Sequence, residues 1–376
     1  MTRGRTAYEE YEPEPGKEIS ICDTLRACDT LSQSKLMGIK RMKKINKVLI
    51  TGITGFVGSH LADYILENFP EVQILGLARW RSPTDNIRHI LDKITLEYGD
   101  LLDLSSLKTI LAKQKPEAIF HLAAQSYVPF SFLSPVATLG TNVIGTCNLL
   151  EAVKDLSSTS NYDPVIHICS SSEVYGQVKE NEVPIRENNP FRPASPYAVS
   201  KVAEDMLAAQ YWLSWKIKTI RTRMFTHTGP RRGEVFASST FAKQIASIEA
   251  GLAPPVVKVG NLDSIRTFLD ARDAVKAYWL LVNKCPPGEV YNIGGVETMT
   301  VGDMLNKLLR LSKVKNITVE VDPSRLRPSD VTLQIPCIDK FVAATGWKPE
   351  IKFDKTLEDL IDYWRDYFKR EKGRHK

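Results

Sequence analysis

Three glycines follow a short apolar stretch near residue 50, in "VLITGITGFVGSHLADYIL". They have the spacing GxxGxxG, and a segment with helical apolar periodicity comes directly after them. Glycine permits a tight turn, and it lets backbone N–H groups approach a pyrophosphate at the helix amino terminus. A strand, a glycine turn and a helix in this order favour dinucleotide binding over a plain glycine turn. The predicted contacts are Gly52, Thr54, Gly55, Phe56, Val57 and Gly58.

Short apolar runs alternate with helical patterns from residue 47 onward. The runs "KVLITG", "VQILGLAR", "AIFHLAA", "PVIHICSS" and "IKTIRTRMF" are rich in Val and Ile, as strands buried on both faces are. The pattern predicts an α/β fold, a Rossmann-type doubly wound parallel sheet with a smaller carboxy-terminal substrate-binding domain. We assign residues 1–46 to a poorly ordered extension, 47–225 to the dinucleotide-binding domain and 226–376 mainly to the substrate domain, with some segments returning to the first domain.

Composition argues against several classes of protein. The net charge of +6 is modest for 376 residues, and the basic residues are mostly dispersed, so we expect neither nucleic-acid nor membrane binding. The six cysteines show no CxxC spacing, which argues against a metal site and a disulfide scaffold. No apolar run approaches the ~20 residues of a membrane span, and a secretory signal is missing, so we expect a cytoplasmic protein.

Two arginines follow the second predicted strand, in "GLARWRS". An NAD enzyme would carry Asp or Glu at this point to hold the adenosine ribose. Arg79 and Arg81 suit the 2′-phosphate of NADP instead, because guanidinium groups make charge-assisted contacts to phosphate. A pair of surface arginines is the alternative interpretation. Later strand ends, in "EYGDLLD" and "HLAAQ", predict further cofactor contacts at Asp100, Leu101, Leu122, Ala123 and Ala124.

A tyrosine and a lysine stand one helical turn apart in "SPYAVSK". Tyr197 and Lys201 can therefore project from one helix face, where the ammonium stabilises the phenolate and lowers the pKa of the phenol. A packed helix face is the alternative, which the glycine turn and the serine-rich strand end make less favoured.

Glu173 lies within that strand end, "SSSEVYG". Simple alcohol oxidation needs a hydroxyl there and no carboxylate. Proton abstraction beside a carbonyl does need a positioned carboxylate, and a reversible oxidation creates the carbonyl. Pairing with a nearby base and capping of a turn are the structural alternatives for this residue.

Together these motifs resemble the extended short-chain dehydrogenases/reductases that modify nucleotide sugars, from about Lys47 to the final helix. The strings "HLAAQSYVPFSFLSP", "SSSEVYG", "SPYAVSK", "GPRRGEVF", "GNLDSIR" and "RPSD" are most similar to the GDP-mannose 4,6-dehydratases of that family. The stretch from "FAKQIASIEAG" through "AYWLL" also resembles the related reductases of GDP-4-keto-6-deoxymannose.

The resemblance implies a role for each catalytic candidate. Tyr197, supported by Lys201, would take the C4 hydroxyl proton while hydride leaves C4 for tightly bound NADP, and Ser171 would hydrogen-bond that hydroxyl. Glu173 would abstract the C5 proton, Ser172 would assist departure of the C6 hydroxyl as water, and hydride would return to C6. The implied enzyme is a lyase with no net cofactor consumption, and the family generally forms homodimers or homotetramers.

The resemblance also implies that a GDP-sugar binds in the carboxy-terminal part. Arginine suits a pyrophosphate through its planar fork, and a solvated arginine is the alternative for each one alone. The implied substrate contacts are Ser126, Arg232, Glu234, Arg266 and Arg327.

Three positions depart from the usual dehydratase pattern: Ser171 replaces Thr, Thr226 replaces Asn, and Thr267 replaces an acidic residue. The last two lie where the nucleotide sugar should bind, so the implied sugar is GDP-mannose or a relative such as a manno-heptose. A 4-keto-sugar reductase and a C4 epimerase stay open within the fold. A non-catalytic NADP-binding scaffold is the alternative from another class.

Overall fold

The computed structural model describes residues 44–326 and 331–374. Within these ranges, no helix carries the long apolar stretch needed to cross a lipid bilayer. The strands are β1 (Lys47–Thr51), β2 (Gln73–Ala78), β3 (Thr95–Tyr98), β4 (Ala118–His121), β5 (Val165–Ser171), β6 (Lys218–Met224), β7 (His227–Thr228), β8 (Val256–Val259), β9 (Ile265–Thr267), β10 (Leu269–Asp270), β11 (Val290–Ile293), β12 (Thr298–Thr300), β13 (Thr318–Val321) and β14 (Leu333–Gln334). The α-helices are α1 (Phe56–Asn68), α2 (Leu104–Gln114), α3 (Val128–Leu133), α4 (Pro135–Leu139), α5 (Gly145–Thr159), α6 (Pro196–Trp215), α7 (Ala237–Glu249), α8 (Ala271–Lys284), α9 (Val301–Leu311), α10 (Asp339–Thr345) and α11 (Phe353–Arg374).

Seven strands form one parallel sheet in the order β11-β6-β5-β4-β1-β2-β3. The chain winds outward in one direction from β1 to β3 and in the other from β4 to β11, so the order reverses between β1 and β4. A doubly wound sheet leaves a crevice at the carboxyl ends of its strands at this reversal. The predicted α/β fold class is therefore confirmed.

The central strand β1 shows why its sequence is a continuous apolar run. Val48 and Ile50 pack into a core shared with α1 and α8, whereas Leu49 packs into a second core shared with α2, α5 and α6. Successive strand side chains point to opposite faces of the sheet, and both faces here are covered by helices. Hydrophobic residues are consequently required at the three central positions, Val48, Leu49 and Ile50.

Elements beyond residue 226 contribute both to the large sheet and to a separate core. Strand β11 pairs with β6, and α8 packs into the same core as α1. Helices α7, α9 and α11 enclose a third core, which includes Phe241, Leu305 and Leu357. The short strands β8 and β13 pair beside it, while β12, β9 and β14 form a small sheet of their own. Of these elements, β9, α9 and β14 lie near the carboxyl ends of the main strands, because Arg266, Met304 and Gln334 line one cavity with Ser171.

A buried ion network ties α6 to the sheet. Asp205 on α6 is fully buried and accepts hydrogen bonds from Arg221 Nη1 at 3.0 Å and from Arg223 Nε at 2.8 Å, both on β6. Arg223 Nη1 also donates to the Tyr175 hydroxyl at 3.0 Å, and that hydroxyl donates to Asn292 Oδ1 on β11 at 2.7 Å. The network thus joins α6, β6, β11 and the loop after β5.

The Asp205→Asn variant is expected to lose about 3–5 kcal/mol of unfolding free energy, because it leaves two buried arginines without a counter-charge. Urea unfolding followed by circular dichroism measures this loss. Asp366→Asn is the matched control, because Asp366 pairs with Lys369 on the exposed face of α11 and should contribute less than about 1 kcal/mol. Equal losses in the two variants would contradict the assignment.

Candidate active site

The glycine turn brings β1, α1 and the end of β4 into direct contact. Gly52 has a φ of +72°, and a Cβ on it would lie 2.9 Å from the Ala123 Cα. A Cβ on Gly58 would lie 2.3 Å from the Gly52 carbonyl oxygen, so the first turn of α1 packs against bare backbone. The Gly55 N–H donates to the Gly52 carbonyl at 2.9 Å and closes the turn. This cradle, which side chains would fill, fits the pyrophosphate of a dinucleotide at a helix amino terminus.

A cavity of about 880 Å³ extends from this turn along the carboxyl ends of the main strands. It lies at the reversal of strand order, where doubly wound sheets bind ligands. Among its lining residues are most of the positions predicted from the sequence: Gly52, Thr54, Gly55, Phe56, Val57, Gly58, Arg79, Asp100, Leu101, Leu122, Ala123, Ala124, Ser126, Ser171, Ser172, Glu173, Tyr197, Lys201, Arg232 and Arg266.

Three predicted positions are not placed in the cavity wall. The Arg81 guanidinium stacks over the Trp80 ring, 4.3 Å from its centroid. The Glu234 carboxylate forms an ion pair with Lys243 and lies away from the lining residues. Arg327 lies outside the described residues. The Arg81 and Glu234 side chains contact other residues near the protein surface. The spacing of residues in the sequence does not reveal these contacts.

Helix α6 presents Tyr197 and Lys201 to the cavity. The helix begins after Ser195, whose hydroxyl accepts from the Ala198 N–H at 3.0 Å and caps the first turn. Lys201 Nζ donates to the Cys169 carbonyl oxygen on β5 at 2.9 Å. Burial raises the pKa of Tyr197, while the Lys201 ammonium and a hydrogen bond with the hydroxyl of Ser171 act in the opposite direction. The tyrosine, lysine and serine thus form one interacting group.

A second carboxylate, Glu204, lies beneath this group and has only 1% of its surface exposed. Its Oε2 accepts from Lys201 Nζ at 2.9 Å, and its Oε1 has no hydrogen-bond partner among the described residues. Burial raises the pKa of Glu204 to about 7 against the opposing effect of Lys201. Burial alone would lower the pKa of Lys201, but the charge and hydrogen bond of Glu204, together with Tyr197 and Cys169, outweigh that effect and raise it. Lys201 is therefore held as an ammonium.

Glu173 lies in the short turn that follows β5. The Ser171 hydroxyl accepts from the Glu173 backbone N–H at 3.2 Å, so the serine caps this turn. The glutamate side chain is half-buried and lines the cavity. Its carboxylate forms no hydrogen bond or ion pair with any of the described residues. Neither structural alternative, pairing with a base or capping by the carboxylate, is seen in this part of the chain.

Several residues of the cavity wall were not predicted from the sequence. His227 lines the cavity, and burial, together with the charge of Arg232, lowers its pKa to about 4. Phe236 packs under the Arg232 guanidinium, which lies 3.5 Å from the ring centroid. Burial lowers the pKa of Arg232 to about 10. Gln334, on β14, also lines the cavity. His227 could have been predicted as a cavity residue from its place in the string "MFTHTGP". The sequence around Gln334 contains no comparable motif.

Comparison with known proteins identifies the family. The family model for GDP-mannose 4,6 dehydratase matches residues 49–360. The chain belongs to the GDP-mannose 4,6-dehydratase family. Its similarity to the GDP-mannose 4,6-dehydratase of Vibrio cholerae serotype O1 is 33% identity over 83% of this chain and 92% of the relative. The resemblance recognised in the sequence is confirmed.

Reductases and epimerases are also similar to this member of the GDP-mannose 4,6-dehydratase family. The GDP-6-deoxy-D-mannose reductase of Pseudomonas aeruginosa is 33% identical over 86% of this chain and 99% of its own length. The solved structure of RMD from Pseudomonas aeruginosa complexed with NADPH has a TM-score of 0.74 and 30% identity, and covers 86% of this chain and 99% of its own. The UDP-glucose 4-epimerase of Thermotoga maritima reaches a TM-score of 0.75 at 25% identity, with coverage of 86% and 99%.

The Gly58→Ala variant is expected to lose about 1–3 kcal/mol of unfolding free energy, because its Cβ overlaps the Gly52 carbonyl oxygen. Chemical unfolding of the purified variant measures the loss. Gly140→Ala is the matched control, since a Cβ at Gly140 meets nothing within 4 Å, and alanine there should be neutral or stabilising by up to about 1 kcal/mol. Tolerance of alanine at position 58 would show that the close approach is not required.

Proposed function

We propose that this protein is an NADP-dependent 4,6-dehydratase that converts GDP-mannose, or a related GDP-manno-sugar such as a heptose, into the 4-keto-6-deoxy sugar. The observation that carries this proposal is the Glu173 carboxylate, which lines the cavity near Ser171 and Tyr197 without an ion pair among the described residues. A reaction that removes a proton beside a carbonyl requires such a base, and simple oxidation or reduction of an alcohol does not.

The proposed reaction divides the work among these side chains. The glycine turn and Arg79 would hold NADP, which would supply a reversible acceptor for the hydride that leaves C4 and is returned to C6. Tyr197 takes the proton of the C4 hydroxyl, Lys201 stabilises the resulting phenolate, and Ser171 orients that hydroxyl. The 4-ketone makes the C5 proton acidic, and Glu173 removes it. Ser172 positions the C6 hydroxyl, which takes up the proton held by Glu173 and leaves as water. When hydride returns to C6, the proton held by Tyr197 goes to C5, so the net reaction loses one water and leaves the cofactor unchanged.

Arg79 supports the choice of NADP. It lines the cavity just after β2, and within the described ranges no carboxylate forms an ion pair with it. A guanidinium at this position is available for the 2′-phosphate that distinguishes NADP from NAD. The relative RMD, which was solved with NADPH, points in the same direction.

The substrate assignment depends on two arginines that line the cavity. Arg232 and Arg266 are both half-buried there, and guanidinium groups suit the pyrophosphate of a GDP-sugar. Thr226 also lines it, whereas Thr267 does not, so one of the two departures from the usual pattern adjoins the proposed sugar site. Ser126 completes this side of the cavity. The named relatives act on GDP-linked sugars, which supports the same substrate class.

A reductase of GDP-4-keto-6-deoxy sugars is the second candidate, favoured by the similarity to the Pseudomonas aeruginosa reductase. The two reactions differ in net redox change. A reductase consumes added NADPH at every turnover, whereas the dehydratase needs no added reductant. A C4 epimerase also recycles its cofactor, but its product has the same mass as its substrate.

Purified protein incubated with GDP-mannose is expected to form a product lighter by one water, measured by mass spectrometry. Glu173→Gln should abolish this loss, because the amide cannot take the C5 proton, and the reduced cofactor should accumulate as absorbance of NADPH. Glu180→Gln is the control, since Glu180 is an exposed carboxylate in the following loop. Water loss by the Glu173→Gln variant at the wild-type rate would remove Glu173 from the mechanism.

NADPH oxidation with a GDP-4-keto sugar, without dehydration of GDP-mannose or its heptose relative, would establish the reductase.

The pH dependence of kcat/KM tests the role of Glu204. Its negative charge raises the pKa of Tyr197, so Glu204→Gln should lower that pKa and move the acidic limb of the profile to lower pH. Glu358→Gln, an exposed carboxylate on α11, is the control and should leave the limb in place. A limb that stays at the wild-type pH in Glu204→Gln would show that the charge of Glu204 does not act on Tyr197.

We also propose a homodimer or homotetramer. Apolar side chains are strongly exposed on α3, α4, α6 and the π-helical segment Gly140–Ile144. Leu133, Val136, Ile144 and Leu213 are 83%, 81%, 54% and 69% exposed, and exposed apolar side chains of this kind favour association.

A further inference from the structure

Gln334 joins two predicted site residues that come from distant parts of the chain. It lies at the end of β14, has 2% of its surface exposed and lines the cavity. Its Oε1 accepts a hydrogen bond from the Ser172 hydroxyl at 3.1 Å and another from Arg266 Nη1 at 2.8 Å. One amide oxygen therefore holds both the serine at the end of β5 and the arginine on β9.

The orientation of the Gln334 amide follows from these partners. A guanidinium group has N–H donors and no acceptor, so the amide atom that faces Arg266 must be the oxygen. The amide nitrogen, Nε2, consequently points away from Arg266, and it has no hydrogen-bond partner among the described residues. An unpaired buried N–H₂ group costs free energy that a ligand acceptor would recover.

We propose that Gln334 is a specificity-determining residue that donates a hydrogen bond from Nε2 to an oxygen of the sugar ring system of the substrate. This inference rests on the proposed function, in which a GDP-linked pyranose occupies the cavity. Because Ser172 gives its own proton to Gln334, it presents lone pairs to the sugar and accepts a hydrogen bond from a sugar hydroxyl. Gln334 thus provides a hydrogen-bond donor to the sugar. By fixing the orientation of the Ser172 hydroxyl, it also provides the sugar with a hydrogen-bond acceptor.

Two substitutions separate the contacts of Gln334. Gln334→Leu removes the acceptor for Ser172 and Arg266 as well as the Nε2 donor. Gln334→Glu keeps oxygens that accept from Ser172 and Arg266, but it has no Nε2 donor. Gln210→Leu, on the exposed surface of α6, is the matched control for the leucine substitution. Unfolding midpoints of all variants show whether the cavity wall survives each change.

Calorimetric titration with GDP-mannose and with GDP tests the proposal without relying on turnover. The glutamate variant, which keeps an acceptor for Arg266, is expected to bind GDP-mannose about tenfold more weakly than the wild type, with GDP affinity unchanged within about twofold. The leucine variant is expected to lose at least as much affinity for GDP-mannose, and a smaller part of its affinity for GDP because Arg266 loses a partner. Gln210→Leu should match the wild type for both ligands. In turnover, kcat/KM should fall for both Gln334 variants together with the affinity for the sugar nucleotide.

The outcomes distinguish this inference from the proposed function. Wild-type affinity for GDP-mannose in the glutamate variant would show that the Nε2 donor is not used. An equal loss of GDP and GDP-mannose affinity in the leucine variant would show that Gln334 acts through Arg266 on the nucleotide and not on the sugar. If the wild type itself binds GDP but not GDP-mannose, the proposed function fails, and the role of Gln334 fails with it.

Discussion

The Asp205 carboxylate determines how α6 lies on the sheet, and the catalytic candidates depend on that position. Both of its oxygens accept hydrogen bonds from arginines on β6 in a fully buried environment. A slide of α6 along β6 would leave buried charges unpaired, which is among the most costly changes that a protein interior can undergo. Tyr197 and Lys201 lie earlier on the same helix, so this register also determines their positions relative to Ser171.

Charged groups of the cavity are removed from water and oriented before any ligand is bound. Lys201 is held between the Cys169 carbonyl and Glu204, and Arg232 lies over the ring of Phe236. Placing a charge in such a position costs desolvation energy, which favourable interactions elsewhere in the fold offset. These groups consequently need little rearrangement when charge develops in the substrate, which is the property that makes electrostatic stabilisation effective in enzymes.

The carboxy-terminal part of the chain completes the site through the end of β5. Ser172 there shares the Gln334 oxygen with Arg266, although Gln334 is 162 residues from Ser172 and 68 from Arg266. The turn that carries Glu173 is thus bounded by α6 on one side and by the small sheet of β9 and β14 on the other. Groups proposed for proton transfer and groups proposed for substrate recognition consequently line one cavity.

Features that lie within single helices, strands and turns could be predicted from the sequence. Apolar periodicity predicted the parallel sheet, the spacing of Gly52, Gly55 and Gly58 predicted the turn, and the interval between Tyr197 and Lys201 predicted a shared helix face. These signals are local, because backbone geometry relates neighbours directly. The contacts of Gln334 with Ser172 and Arg266, in contrast, were found only in the folded structure. Such contacts depend on how distant elements pack, and on the desolvation of each side chain once they have packed, which residue spacing does not encode.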